Sequence, residues 1–144
     1  MKTLICTLLF AFGLLVPGPT ATAAEDWSSL EPVVESIERL HNATGRLSAS
    51  VKQTYGENDY RNPEEKVQIL CDTTRGLQKA VCLLKERFFD GADQIEITEQ
   101  LRLVEGLANR VKNAAKRVVV YGCIREAQND VANQLDFLKK TLGF

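Results

Sequence analysis

The chain has 144 residues, 44% hydrophobic and 26% charged, with 18 Lys and Arg set against 19 Asp and Glu. This size suits one domain with a modest core, and so even a charge balance gives no overall field for nucleic acid or a membrane surface. One histidine and four cysteines rule out a multi-histidine metal site and a disulfide-dense scaffold.

Lys2 precedes an apolar run from Leu4 to Val16, then Pro17-Gly18-Pro19 and the small residues Thr20 to Ala24. This is the layout of a cleaved secretory signal peptide, residues 1–24, and the run is shorter than the ~20 residues a spanning helix needs. Residues 25–144 are then the single domain of a secreted, extracellular protein. Cys6 leaves with the signal, so Cys71, Cys82 and Cys123 remain.

A first helix is expected near 29–55. Ser28 and Glu31 have capping-box spacing, Pro32 fits a first turn, and Leu30, Val34, Ile37, Leu40, Thr44, Leu47, Val51 and Tyr55 recur at helical steps. Asn42-Ala43-Thr44 is a sequon that makes Asn42 a glycosylation candidate. The polar stretch from Tyr55 to Pro63 is a loop. A second helix over 63–89 follows, with Val67, Leu70, Thr74, Leu77, Val81, Leu84 and Phe88 on one stripe and Cys71, Cys82 and Phe89 on another edge. Gly91 suits a left-handed cap.

Asp93 and Glu96 repeat the capping-box spacing and open a third helix over 94–121, through Ile97, Leu101, Val104, Leu107, Val111, Ala114 and Val118. An unbroken helix from there to Phe144 would leave half its length without a neighbour, so a turn is required. The apolar phase slips at Val118-Val119-Val120-Tyr121, which places the turn near Gly122, with Asn113 the other candidate. The valine run also reads as a strand without a partner. A last helix over 123–142 carries Ile124, Ala127, Val131, Leu135, Leu138 and Leu142.

The fold expected is all-α, an up-down-up-down four-helix bundle. Cys71 and Cys82 stand about 16 Å apart along one helix, beyond the reach of a disulfide. Cys71–Cys123 is the preferred bridge, which leaves Cys82 as a free thiol or as a link joining two copies; Cys82–Cys123 stays open.

No glycine-rich phosphate loop, nucleophile elbow or zinc spacing is present, so neither enzyme activity, metal nor cofactor is expected. His41 reads as a half-buried helix residue. Arg110, Lys112, Lys116 and Arg117 gather positive charge with Arg125, a docking patch for an acidic surface. Tyr55, Tyr60 and Arg61 in the loop are residue types enriched at binding hot spots. An apolar cavity among Leu77, Val81, Phe88, Leu107, Val111 and Leu135 would instead hold a small lipid-like ligand.

The signal peptide, the helical domain and the cysteine frame CDTTRGLQKAVC with YGCIREAQNDV resemble the small helical salivary proteins of blood-feeding arthropods, in particular the anopheline family that includes anophensin and albicin. The resemblance implies secretion into host blood and inhibition of complement or contact-system coagulation by binding a plasma cascade protein. The sequence therefore points first to a non-enzymatic extracellular protein binder, and second to a carrier of an apolar ligand.

Overall fold

The computed structural model describes residues 31–56 and 62–144. The signal segment, Ser28, Tyr60 and Arg61 lie outside the described residues. Four helices follow in order: α1 (Glu31–Tyr55), α2 (Glu64–Phe89), α3 (Gln94–Ala115) and α4 (Gly122–Thr141). Among the described residues there is no strand, and no helix is long and apolar enough to cross a membrane.

Each helix forms where apolar residues recur every third or fourth position, and each ends where the backbone needs an outside partner. The stripe of α1, Val33, Ile37, Leu40, Leu47 and Val51, is buried almost to the last atom, as are Leu70, Leu77, Val81 and Leu84 of α2. Gly91, at φ +80, closes α2: its N–H donates to Phe88 O and the next N–H, of Ala92, donates to Arg87 O. That left-handed cap satisfies carbonyls the helix would otherwise leave bare. Asp93 then caps α3 reciprocally, its Oδ1 accepting from Glu96 N at 2.9 Å while its own N–H donates to Glu96 Oε2 at 3.3 Å; such a cap contributes about 1 kcal/mol. Pro63 sits one position before α2 as its cap residue and Gly143, at φ +79, ends α4 as Gly91 ends α2.

Polar residues inside the core are satisfied locally. Ser36, Thr44 and Thr74 each donate to the carbonyl four residues back, and Gln100 crosses from α3 to donate to Ala80 O of α2 at 2.9 Å. Contacts join the start of one helix to the end of its neighbour, Glu38 with Lys85, Gln100 with Ala80, and Tyr55 with Val119 and Tyr121, as antiparallel packing requires. Arg46–Asp130 and Glu105–Lys139 link α4 to α1 and α3 further along.

The third connection differs from expectation. α3 ends at Ala115 rather than near 121; residues 116–118 turn, and 119–121 are neither helix nor strand. The cause is tertiary. Tyr55 Oη donates to Val119 O at 2.7 Å, Val119 N donates to Asn62 Oδ1 at 2.7 Å, and the Tyr55 and Tyr121 rings meet edge to face at 6.1 Å. These ties satisfy the Val119 peptide outside any helix, so the chain leaves α3 six residues early and α4 begins at Gly122, with Tyr121 as its cap residue.

The cysteine pairing is also corrected. Cys71, Cys82 and Cys123 are all free thiols. No Cα of α2 comes within 8 Å of one in α4, whereas bridged Cα atoms lie roughly 4.4–6.8 Å apart. Neither Cys71 nor Cys82 therefore reaches Cys123: parallel helices occupy opposite corners of the bundle. Burial, then the Asp72 carboxylate, push the Cys71 thiol above its usual range, with Arg75 pulling the other way, while Cys123 is exposed. Alkylation of the native protein is thus expected to modify Cys123 first and Cys71 last, without prior reduction; mass spectrometry showing Cys71 and Cys123 joined would contradict it.

Candidate functional site

Three sides of the bundle are closed, because α1 packs on α2 and α4, and α2 packs on α3. The fourth is open, since α3 and α4 barely touch. The residues on this side explain why. α3 presents Ala108, Asn109 and Lys112, and α4 presents Gln128, Asn129 and Ala132; small and polar side chains offer little apolar area to press together. The helices stand apart over a cavity of about 670 Å³, within the range of roughly 300–1,000 Å³ that small-molecule sites occupy.

Its floor is apolar and drawn from all four helices: Leu47 of α1, Leu77 of α2, Val111 and Ala115 of α3, Val131 and Leu135 of α4. Val118 and Val120 add the wall at one end. The connector alternates there, turning those two valines to the cavity while the Val119 side chain faces outward and its backbone is held by Tyr55 and Asn62.

The two ends differ in charge. Where α3 meets α4 the lining carries Lys112, Lys116 and Arg125, and none of these forms an ion pair among the described residues. At the other end Lys139 Nζ binds Glu105 Oε1 at 2.7 Å and bridges the helices, and Asp136 binds Lys140 Nζ at 2.7 Å. The hydrogen bond from Lys140, reinforced by its charge, holds the Asp136 carboxyl below its usual range, so it stays ionised. Between the ends, Gln128 buries its Nε2 without a hydrogen-bond partner among the described residues.

Of the basic residues expected to act together, the structure separates two pairs. Lys112 and Lys116, one turn apart, line the groove with Arg125; Arg110 and Arg117 are exposed but do not. Tyr55, expected both at the end of the first helix and as a binding residue of the loop that follows, is the last residue of α1, is buried, and donates its hydroxyl to Val119 O. Asn42 is exposed halfway along α1 and His41 beside it is half-buried. Of the expected cavity residues, Leu77, Val111 and Leu135 line the groove, whereas Val81 and Phe88 are sealed in the core and Leu107 packs near Gly76. Sequence reasoning did not find Gln128, Asn129, Ala132 or Lys139; their signal is the polar face of α4, which acquires meaning only once that face is known to look at α3. Among the described residues no three His, Cys, Asp or Glu side chains gather as metal ligands would.

Compared with known proteins, the chain matches no family, no characterised sequence and no solved structure.

Proposed function

We propose that the chain is a secreted, non-enzymatic binding protein, its domain at 25–144 released from a signal peptide at 1–24, which carries a small ligand with an apolar body between α3 and α4. The observation that carries this reading is the open fourth side of the bundle, an apolar floor of ligand size beneath polar walls. The groove holds amides, cations and two ion-paired carboxylates, a set that binds and orients rather than one that pushes two pKa values apart for proton transfer. The open groove supports the carrier reading, which we place above docking of an extracellular protein.

The test is purification of the full-length chain from a secreting cell, native mass spectrometry, and solvent extraction. A stoichiometric small apolar molecule is expected. Protein that arrives bare and then takes up neither dodecanol nor dodecanoate would reject the reading, as would a stable dimer that seals the groove.

One observation favours the second reading. Ile95, Leu103 and Arg110 recur along the outer side of α3, away from the groove, with Arg117 just past its end, and the two apolar members are 70% and 51% exposed. Exposed aliphatic side chains followed by arginines are the material of a protein-docking stripe, and the partner implied by the salivary resemblance, a plasma cascade protein, would dock there. Asn42, on α1, remains a glycosylation candidate.

A further inference from the structure

The cavity is polarised, and its polarity selects a ligand. Resting on the carrier reading above, we infer that the occupant is a monomeric amphiphile with an anionic head, its head group held between Lys112, Lys116 and Arg125 and its apolar body laid along Leu77, Val111, Val131 and Leu135.

Three independent features converge on that end. First, Lys112 in the last turn of α3 and Lys116 at its C-cap line the groove, Arg125 lies in the first turn of the facing helix, and none has a carboxylate partner among the described residues. Cations set this close repel one another, and a bound anion relieves that repulsion while accepting charge-assisted hydrogen bonds. Second, α4 begins there with no acidic residue in its first turn, whereas α1 and α3 each begin with one and α2 with two; its positive end is uncompensated on the side where Arg125 emerges. Third, the Gln128 Nε2 donor, one turn beyond Arg125 toward the middle of the groove, is buried without a partner among the described residues. Burying such a donor costs free energy unless something accepts from it. A carboxylate or phosphate oxygen at this end would do so.

The opposite end offers the same head group no free cation. Glu105 is tied to Lys139 and Asp136 to Lys140, so both lysines there are already paired. An anionic amphiphile therefore enters in one orientation, with its tail toward Leu135 and its head under the α3–α4 connector. Along the path of the tail the lining includes Ala108 and Ala132 beside the apolar floor, small enough to leave room for an alkyl chain or fused ring.

The experiment compares dodecanoate, dodecanol and dodecylammonium, each at monomeric concentration, by calorimetry on the full-length chain. Dodecanoate is expected to bind about tenfold or more tightly than dodecanol, with dodecylammonium weakest. In the Lys112→Ala/Lys116→Ala/Arg125→Ala chain dodecanoate is expected to fall to the dodecanol level, while dodecanol affinity is unchanged. These three side chains are exposed, so the triple variant retains its fold; circular dichroism verifies this. Gln128→Leu is the second variant and should weaken dodecanoate but not dodecanol. Equal binding of all three probes would overturn the head-group inference and leave the carrier reading standing. Preference for dodecanoate that survives the triple substitution would also overturn the inference. Binding of none would overturn both.

Discussion

Leu84→Ala is expected to destabilise the protein by about 3–5 kcal/mol, and Leu135→Ala by about 2 kcal/mol, although both delete the same atoms from a buried leucine. Leu84 is fully enclosed on α2, while Leu135 is 6% exposed and lines the α3–α4 groove. Truncating Leu84 removes the transfer free energy and also leaves a closed void whose lining loses contacts that nothing replaces. Truncating Leu135 only deepens a cavity already open to solvent, so the transfer contribution stands nearly alone. Urea denaturation of the two variants measures the difference, and unchanged slopes would show that the unfolded state is the same in each. Equal losses would mean that α4 closes on α3 as tightly as on α1. For a domain whose whole stability is about 5–15 kcal/mol, the larger loss removes much of the margin.

The same contrast explains what could be read from the residues alone. The four helices were legible because each carries its own spacing of apolar residues, and the start of α3 was legible because Asp93 and Glu96 form a cap within four residues. Local chemistry needs no knowledge of the rest of the chain. The end of α3 was not legible. Val118 extends the stripe of Val111 and Ala114, the phase slips only across 118–121, and neither glycine nor proline stands between Ala115 and Gly122; the helix is ended by Tyr55 and Asn62, which lie 64 and 57 residues away from Val119.

The bundle was legible as a class, but the groove was not, because it depends on how helices turn about their own axes. Asn109, Lys112, Gln128 and Asn129 read as ordinary polar faces, and nothing in their spacing says that the two faces look at each other. The cysteine pairing failed for a related reason. Cys71 and Cys123 are both near the starts of their helices, so axial position agreed while lateral position did not. The diagonal separation of α2 and α4 settles it. The basic cluster was legible as a composition and was then divided by the turn that ends α3: Lys112 and, at the C-cap, Lys116 line the groove, whereas Arg110 and, past the helix end, Arg117 do not.

Ala132→Trp is expected to abolish ligand uptake while changing stability by less than about 1 kcal/mol. Ala132 is exposed on α4 and lines the groove, so an indole there has open space to enter and forces no overpacking of the kind that penalises larger side chains in closed cores. Its intrinsic cost in a helix is small, at most about 0.7 kcal/mol relative to alanine, and apolar contact with the Val111 and Leu135 floor offsets part of that. The ring would occupy much of the volume an alkyl chain needs, so dodecanoate and dodecanol should both be lost, unlike the head-group variants, which spare dodecanol. The chain has a single tryptophan, Trp27, so in a Trp27→Phe background the new indole is its own reporter. Emission shifted to short wavelength, together with lost uptake, places the ring in the groove and the ligand with it. Emission shifted in the same way with uptake intact would put the ligand elsewhere and reject the groove as the binding element.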